Sequence, residues 1–425
     1  MENETPKAAH EIQEVRDLQV ILGVARAMAA AMELDQLLEL ILNSVRHILN
    51  AERASLFLYD EATNELHSKI AHGTGEICFP ATAGIAGAAA QERKIVNIPD
   101  AYADPRFNRD VDRKTGYVTR CLLTVPLVGA DSQLVGVVQV LNKVDGVFTA
   151  YDERLAEALA AQVGVALQRA RLMRHLVEKK QLERSLDIAR EIQQGLLPKA
   201  APTVAGYDIA GWSQAAEQTG GDCYDYISLP DGRLAVSVAD ATGHGIGAAL
   251  VISETRALLR AFSGQARQPA EVLARANHWL YADELDGRFV TTFFGVLDPG
   301  RHRLEYASAG HGPLFWYRAA TREVVCTGAT GLPLGMTDPL DIEAGPPVDL
   351  APGNLGVLLT DGFLEAENPQ GRQFGRERMA QLIRDNAGRG AADFIAALAA
   401  TVRDFLGGGA QVDDLTAVVV KRCLR

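Results

Sequence analysis

The chain has 425 residues, and because one hydrophobic core rarely grows beyond about 250–300 residues, this length predicts two or three domains. A hydrophobic content of 48% and a charged content of 23% are typical of a soluble globular protein. The 54 acidic residues outnumber the 42 basic ones and give a formal net charge of -12. This charge argues against nucleic acid as the main partner, because binding its phosphates requires a clustered basic face.

The N-terminal segment and the cysteines indicate the compartment. The first residues, MENETPKAAHEIQEV, are polar and acidic, so we expect no signal peptide, and no apolar run is long enough to cross a bilayer. Five cysteines are scattered without a CxxC pair, namely Cys78, Cys121, Cys223, Cys326 and Cys423. We expect them to be reduced thiols that form neither a disulfide framework nor a zinc site. Together these features predict a cytoplasmic protein.

The first part of the chain carries helical patterns and then strand-like ones. Apolar residues recur at helical spacing from about Glu11 to Asn50, which predicts two helices. Four strand-like segments follow, namely ASLFLYD, ELHSKIAHG, TRCLLTVPLVG and LVGVVQVLNK. A long helix is then predicted from about Tyr151 to Leu197, with a charged interruption at Lys179 and Lys180, and Pro198 stops it.

We interpret this long helix as a connector, because its length exceeds what one compact domain needs. Six of its apolar residues form a stripe that can face a partner, namely Leu172, Leu176, Leu182, Leu186, Ala189 and Leu196. The heptads are imperfect, so packing along the helix's own domain and a dimeric coiled coil both remain open. We expect a homodimer through these helices.

After about residue 202, strands come in runs and helices in pairs. The strand-like segments are YDIAGW, CYDYISL, RLAVSVAD, FVTTFFGVLD, RLEYASAG, PLFWYR, EVVCT, NLGVLLTDG and DLTAVVVKR. Helices are predicted from His244 to about Phe262 and from Pro269 to Tyr281, and two more precede the last strand. This order favours layered α+β packing with antiparallel sheets over a βαβ repeat.

Aspartates in this half lie where an apolar strand meets a turn. They form four sites, Asp222, Asp240, Asp361 and the pair Asp413–Asp414. A single strand-end aspartate is usually a cap or turn former, but four beside buried-looking runs suggest a cluster. Because clustered carboxylates repel one another unless a cation neutralises them, the pattern predicts a site for a hard cation such as Mg2+ or Mn2+.

The stretch SVADATGHGIG, from Ser237 to Gly247, is the glycine-rich turn after one of these strands. It has no lysine where a P-loop requires one, and its glycines do not match the GxGxxG spacing. An aspartate that closes a strand before a turn of small residues fits a metal ligand better. We therefore interpret Asp240 as the ligand and the glycines as giving access to it.

Motifs across this half carry a family resemblance. In order they are IAREIQQGLLP, TGGDCYDY, VADATGHGIGAALV, TTFFGVLD, YASAGHGPLFWY, TGLPLG, LLTDGFLEAEN and DDLTAVVV. From about Leu186 to Lys421 the chain resembles the metal-dependent (PPM-type) protein phosphatases, in their sporulation stage II phosphatase E-like branch. The resemblance implies a β-sandwich of two antiparallel sheets flanked by helices. It also implies hydrolysis of protein phosphoserine or phosphothreonine with two bridged Mn2+ or Mg2+ ions.

The resemblance assigns roles to the aspartates. It implies that Asp222 and Asp240 bind the metal pair, with Asp222 as the bridging ligand and the carbonyl of Ala241 as an additional ligand. It also implies that Asp361 and Asp413 complete the second metal, and Asp413 is preferred to Asp414. A water between the ions would attack phosphorus in line, and the ions would offset the phosphoryl charge. His244 is interpreted either as an acid to the leaving oxygen or as a cap of the following helix. No arginine is an obvious substitute for the phosphate-gripping arginine of the eukaryotic relatives.

A second resemblance covers about Leu34 to Ala170. The segments GEICFPATAGIAGAAAQERKIVNIPDAYADPRFNRDVDRKTGYVTRCLLTVPL and VLNKVDGVFTAYDE are similar to GAF sensory domains, most of all the cyclic-nucleotide-binding kind of phosphodiesterases and adenylate cyclases. The NKxxxxFxxxDE pattern of that family is met by Asn142, Lys143, Phe148, Asp152 and Glu153. Lys143 and Asp152 are suited to a structural ion pair that pins a loop over a pocket.

The GAF resemblance also implies a ligand pocket. By position in the family the pocket residues are Ser55, Ile85, Ala86, Asn108, Asp112, Thr115, Thr119 and Gln139. Amides and hydroxyls there suit a cyclic phosphate, and cAMP or cGMP is the ligand that the resemblance implies. Asn108 stands where an aromatic residue is common and Gln139 where a carboxylate occurs, so an empty or purely structural pocket is the alternative.

The whole sequence thus predicts an α+β chain with four segments. They are an N-terminal helix (1–33), a GAF domain (34–170), a helical linker (171–200) and a phosphatase domain (201–425). The expected function is a GAF-regulated serine/threonine phosphatase acting on a phosphorylated STAS-type anti-sigma-factor antagonist in bacterial partner switching. The alternative is a ligand-sensing receptor that binds and sequesters such a partner without turnover.

Overall fold

The protein is seen in a computed structural model, which describes residues 19–28, 34–71, 77–283, 287–409 and 411–424. The chain divides into two units, Met1–Gln181 and Leu182–Arg425. Residues 19–28 form helix α1, so the part of the first predicted helix before residue 19 lies outside the described residues. Among the described residues, no helix combines the length and apolarity needed to cross a membrane.

The first unit is built on a six-stranded antiparallel sheet. Its strands are β1 (Ala51–Asp60), β2 (Glu65–Ala71), β3 (Ile77–Pro80), β4 (Val96–Ile98), β5 (Leu122–Val128) and β6 (Leu134–Lys143), in the order β3-β2-β1-β6-β5-β4. The helices are α2 (Leu34–Ile48), α3 (Gly84–Glu92), α4 (Arg109–Thr115) and the start of α5 (Ala150–Leu196), with a 3-10 turn at Ala101–Ala103.

Helices cover both faces of this sheet. On one face, Ile41 and Val45 of α2 and Val163 of α5 pack with alternate residues of the strands. On the other face, α3 packs its small residues Ala86 and Ala89 against the sheet. Because strand side chains alternate between the faces, each strand supplies both cores. This arrangement confirms the predicted GAF-type fold.

The second unit is a sandwich of two five-stranded antiparallel sheets. One sheet has the order β14-β11-β10-β9-β8 and the other β13-β12-β15-β16-β7. The strands are β7 (Tyr207–Gln214), β8 (Asp222–Ser228), β9 (Leu234–Ala241), β10 (Val290–Asp298), β11 (Arg303–Ala309), β12 (Leu314–Arg318), β13 (Glu323–Thr327), β14 (Val348–Asp349), β15 (Leu355–Leu359) and β16 (Leu415–Arg422). The helices are α6 (Ile246–Ser263), α7 (Pro269–Ala282), α8 (Gly362–Glu365), α9 (Gly375–Asn386) and α10 (Ala391–Leu406).

Large aromatic residues fill the space between the two sheets. Phe293 and Tyr306 from one sheet stack at 5.5 Å between ring centroids, and Tyr306 meets Trp316 of the other sheet at the same distance. Helices α6 and α7 cover the outer face of the first sheet, and α9 and α10 cover that of the second. The predicted β-sandwich with flanking helices is therefore confirmed.

Helix α5 runs without a break for 47 residues, through Lys179 and Lys180. The side chains of Leu172, Leu176 and Leu182 on the predicted stripe are more than half exposed, whereas those of the stripe's later members are partly buried. The homodimer that the stripe predicts stays a prediction.

Candidate active site

Two aspartates lie opposite each other on neighbouring strands of the second unit. Asp222 begins β8 and pairs in register with Asp240 near the end of β9. Thr360, which follows β15 of the other sheet, donates its hydroxyl to Asp222 Oδ2 at 2.7 Å. The side chain of Asp222 is thus buried and aimed at the end of the opposite sheet.

The other sheet contributes a second pair of carboxylates. Asp361 follows β15 at the start of α8, and Asp413 precedes β16, the hydrogen-bonded neighbour of β15. Asp413 is exposed and its Oδ1 accepts the backbone N–H of Asp414 at 2.8 Å. The four strand-end aspartates of the sequence analysis therefore come together at one end of the sandwich.

Burial and the repulsion of neighbouring charges raise the pKa of three of these carboxyl groups, those of Asp222, Asp240 and Asp361. Burial, followed by the charges of Asp361 and Asp413, raises the pKa of Asp240 to about 8. Burial and the charge of Asp240 raise the pKa of Asp222 well above its usual range, although Thr360 partly offsets this. The pKa of Asp361 is raised by burial and then by Asp413. Burial and like charges of this kind disfavour the ionised carboxylates unless a cation neutralises them.

The donor set consists of hard oxygen ligands. Among the described residues, no three of these carboxylates bring oxygens within 4.8 Å of one another. A Cβ on Gly221 would lie 2.8 Å from the carbonyl oxygen of Ala241, so the glycine leaves that oxygen accessible. Carboxylate and carbonyl oxygens without thiolates are the ligands that Mg2+ and Mn2+ prefer.

Asp414 uses both oxygens of its carboxylate to bind backbone N–H groups of the 216–221 loop. It is buried, and its two oxygens accept the backbone N–H groups of Ala216 at 2.7 Å and Gly221 at 2.6 Å. Burial raises the pKa of Asp414, and these backbone hydrogen bonds oppose the rise. The carboxylate is therefore occupied in anchoring the 216–221 loop, which carries the chain to Asp222.

The end of helix α5 holds the same loop. The Gln193 side chain forms two hydrogen bonds with Gly220, donating Nε2–H to the carbonyl at 2.5 Å and accepting the N–H on Oε1 at 3.0 Å. Gly220 is buried, so both of its backbone groups depend on this side chain. This contact is not visible in the IAREIQQGLLP segment of the sequence, because Gln193 and Gly220 are 27 residues apart.

The turn after Asp240 carries an exposed histidine. His244 is 86% exposed and its Nδ1 lies 3.4 Å from Glu217 Oε1 on the 216–221 loop. The expectation that His244 caps the next helix is wrong, because Gly245 is the N-cap of α6 and no side chain caps that end. The positive φ of Gly245 shows why glycine occupies the cap, since the left-handed region is costly for residues with a Cβ.

Arg288, two residues before β10, places its side chain beside the first turn of α6. A Cβ added to Gly247 would lie 3.0 Å from the guanidinium of Arg288. Phe289, the residue after Arg288, exchanges hydrogen bonds with Thr242. A half-buried positive charge therefore stands beside the turn that follows Asp240. Arg288 was not singled out from the sequence, because only the fold brings it beside this turn.

A buried histidine joins the strands that carry the ligands. His311 Nδ1 lies 3.2 Å from the hydroxyl of Thr291, which is the register partner of Asp240. Burial lowers the pKa of His311 to about 4, although the backbone of Leu359 opposes this, so the imidazole is neutral. Leu359 is two residues before Asp361, so His311 contacts segments of both sheets near the carboxylates.

The first unit contains a cavity of about 350 Å3 between the sheet and helices α3 and α4. All eight predicted pocket residues line it, namely Ser55, Ile85, Ala86, Asn108, Asp112, Thr115, Thr119 and Gln139. The volume lies within the range of small-molecule sites. Arg53 and Tyr117, which were not predicted, also line the cavity. The Arg53 guanidinium carbon lies 3.9 Å from the centroid of the Tyr117 ring.

Several polar residues of the cavity are engaged within the protein. Asp112 accepts hydrogen bonds from the backbone and hydroxyl of Thr119 and from the hydroxyl of Tyr102. Asn108 caps α4, and Gln139 donates to the hydroxyl of Thr124 at 3.2 Å. These side chains shape the wall of the cavity.

The NKxxxxFxxxDE residues form a network at the end of β6. Lys143 Nζ lies 2.5 Å from Asp152 Oδ1, and although burial opposes it, hydrogen bonds from Lys143 and Thr149 lower the pKa of Asp152. Asn142 donates to Glu52, while Asn97 links Phe148 to Glu153. The ion pair is present and spans the loop after β6, but neither of its residues lines the cavity.

Comparisons with known proteins agree with both motif resemblances. Residues 33–167 match the family model described as GAF domain, and residues 230–423 match that described as Stage II sporulation protein E (SpoIIE). Among solved structures, the SiaA-PP2C domain of Pseudomonas aeruginosa is 27% identical with a TM-score of 0.51, covering 57% of this chain and 98% of that one.

Two curated relatives are similar over part of their length. The Caenorhabditis elegans protein named "Probable 3',5'-cyclic phosphodiesterase pde-5" is 37% identical over 167 residues, which are 36% of this chain and 23% of that protein. Protein IcfG of Synechocystis is 27% identical over 267 residues, which are 56% of this chain and 41% of that protein. The chain thus spans less than half the length of either relative.

Proposed function

Because the chain joins a GAF domain to a PP2C-type phosphatase domain of the SpoIIE family, we propose that it is a metal-dependent serine/threonine protein phosphatase regulated through its GAF domain. The observation that carries this proposal is the meeting of strand-end carboxylates from both sheets of the sandwich, with the pKa of Asp240 raised to about 8 by burial and its acidic neighbours. Such an arrangement is costly to fold unless it binds cations.

The oxygen ligands for two Mn2+ or Mg2+ ions would come from Asp222, Asp240, the carbonyl of Ala241, Asp361 and Asp413. When bound, the ions would supply positive charge beside the phosphoryl oxygens and a water of lowered pKa as nucleophile. Asp413 is preferred to Asp414 because Asp413 is exposed, whereas Asp414 uses both oxygens to hold the 216–221 loop.

Two further side chains would act on the phosphate and the leaving group. Arg288 stands beside the turn after Asp240 and would attract and orient the phosphoryl oxygens through charge-assisted hydrogen bonds. As the bond between phosphorus and the serine or threonine oxygen breaks, His244 would donate a proton to that oxygen. Its exposure places His244 where a protein substrate arrives.

The proposed substrate is a phosphorylated STAS-type anti-sigma-factor antagonist in bacterial partner switching. One feature supports a folded protein as substrate: Asp413 and His244 are both exposed at the end of the sandwich that carries the aspartates. A phosphorylated residue on a protein surface can therefore approach without unfolding. The resemblance of the sequence motifs to the sporulation stage II phosphatase E-like branch supports the STAS-type class of substrate.

Regulation would begin in the GAF cavity and reach the site through helix α5. The cavity combines aromatic walls with Arg53, which suits a ligand with a flat ring and a negative charge, such as cAMP or cGMP. An empty, structural cavity is the alternative.

Helix α5 leaves the GAF unit and ends in the segment where Gln193 holds Gly220, so a change in its last turns would move the loop before Asp222. Dimerisation through the exposed leucines of α5 would be one way to produce that change.

The second candidate is a receptor that sequesters the phosphorylated partner without turnover. Wild-type protein and the Asp222→Ala variant are mixed with a phosphorylated STAS-type protein, and bound partner and released phosphate are measured with Mn2+ present. We expect turnover by wild type, and binding without turnover by the variant. Equal binding without phosphate release by both proteins would refute the phosphatase proposal and favour sequestration.

A further inference from the structure

Three potential metal ligands meet on strands β2 and β3 of the first unit. His67 and Cys78 are register partners across the two strands, and Glu65 lies two residues from His67 on the same face of β2. Among the described residues, this is the one group of three His, Cys, Asp or Glu side chains whose ligand atoms all lie within 4.8 Å of one another. The expectation of no zinc site rested on the absence of a CxxC pair, a rule that cannot detect ligands brought together by strand pairing.

The distances between the ligand atoms are close to those of a tetrahedral zinc site. Cys78 Sγ lies 3.9 Å from His67 Nε2, and His67 Nε2 lies 3.5 Å from Glu65 Oε2. With ordinary zinc–ligand bond lengths and tetrahedral angles, the corresponding separations are about 3.6 Å for sulfur to nitrogen and about 3.4 Å for nitrogen to oxygen. Small side-chain rotations therefore suffice to bind an ion.

The backbone makes this arrangement rigid enough to serve as a site. The pairs Glu65–Pro80, Leu66–Phe79 and His67–Cys78 fix the two strands in register. On the opposite face, Leu66 is fully buried and Phe79 packs against Phe57 at 5.1 Å between ring centroids. Because strand side chains alternate, this packing directs Glu65, His67 and Cys78 together to the other face.

The chemistry of the three ligands favours a thiophilic divalent cation. Thiolate and imidazole select Zn2+ over Mg2+, Mn2+ and Ca2+, which prefer oxygen. We propose that Glu65, His67 and Cys78 form a zinc site at the β2–β3 edge of the GAF domain, with a fourth position open to water or another ligand. Ile77 and Phe79, the neighbours of Cys78 on β3, line the cavity, so an ion there would brace one wall of it. The site uses none of the phosphatase carboxylates and does not depend on the proposed function.

Cobalt binding to the full-length, reduced protein tests this proposal. A thiolate bound to Co2+ gives a charge-transfer absorption that Co2+ on carboxylates does not give, so ions at the phosphatase site do not interfere. Saturating Mn2+ is present throughout. The variants are Cys78→Ser, His67→Ala and Glu65→Gln, and the matched control is Cys326→Ser, which removes another exposed cysteine.

We expect a charge-transfer band that saturates at a single Co2+ per chain and is displaced by Zn2+, which binds more tightly. The band is retained in Cys326→Ser and lost in Cys78→Ser. The affinity falls in His67→Ala and Glu65→Gln by more than the 10–100-fold that loss of an outer-shell partner typically causes. A missing band, or one that survives in Cys78→Ser, would overturn the proposal. If Cys78→Ser fails to fold, unchanged affinity in His67→Ala, which keeps the thiol, overturns it equally.

Discussion

Replacing Gln193 with alanine removes the two hydrogen bonds that join the end of α5 to Gly220. A hydrogen bond contributes about 0.5–1.5 kcal/mol net, so the ordered position of the 216–221 loop loses about 1–3 kcal/mol. This free energy corresponds to a change of roughly 5-fold to 150-fold in the equilibrium between ordered and displaced loops. Since the loop leads directly to Asp222, the loss is expected at the metal site.

The assay is the initial rate of phosphate release as a function of Mn2+ concentration, with full-length protein and p-nitrophenyl phosphate. We expect Gln193→Ala to need more Mn2+ for half-maximal activity and to have a lower kcat. Gln194→Ala is the matched control, because Gln194 is the neighbouring glutamine and is exposed. Identical Mn2+ dependence and kcat for the two variants would refute the reasoning that α5 holds the metal loop through Gln193.

Three other predictions concern the Lys143–Asp152 ion pair of the GAF domain, phosphate binding by Arg288 and the protonation of Asp240. Lys143→Met leaves the buried Asp152 without its ion-pair partner, so we expect the free energy of unfolding of the GAF domain, measured with denaturant, to fall by about 3–5 kcal/mol. The control Lys114→Met, at an exposed lysine, should lose no stability. Equal stability of the two variants would contradict the structural role of the pair. Arg288→Ala removes charge-assisted hydrogen bonds to the phosphate of about 1.5–3 kcal/mol, so kcat/KM is expected to fall roughly 10-fold to 150-fold. The control Arg301→Ala, at an exposed arginine, should leave kcat/KM unchanged. Equal kcat/KM values for the two variants would exclude Arg288 from phosphate binding. Because the pKa of Asp240 without metal is raised to about 8, its contribution to stability is complete below its usual pKa near 4 and is lost as the pH rises towards 8. The Tm in EDTA should therefore fall more steeply between pH 5 and pH 8 for wild type than for Asp240→Asn, and Mn2+ should remove the difference; parallel slopes in EDTA would contradict it.

The sheets and long helices could be predicted because their apolar residues repeat with a clear period. The run from Leu234 to Ala241 alternates into two cores, and Leu37 to Val45 follows a helical spacing. Short elements such as β3, β4, α4 and α8 were not predicted, because they have too few residues to show any period. Their positions are set by packing against the longer elements.

The candidate site could be predicted in part, for a related reason. Aspartates at strand ends are visible in the sequence, and antiparallel pairing brings such ends together. The groups that hold them are not visible, because Thr360 is 138 residues from Asp222 and Gln193 is 27 residues from Gly220. The cluster of Glu65, His67 and Cys78 likewise exists only once β2 and β3 are paired in register.

The most direct test of the account is metal-dependent phosphate release by the full-length chain. Wild type and Asp361→Asn are each assayed on a phosphoserine-containing protein with Mn2+ and then with EDTA. The account predicts release by wild type that requires Mn2+ and is abolished by EDTA, together with a large loss in Asp361→Asn at the same Mn2+ concentration. Release that persists in EDTA, or that Asp361→Asn retains in full, would contradict the claim that these strand-end carboxylates form the catalytic metal site.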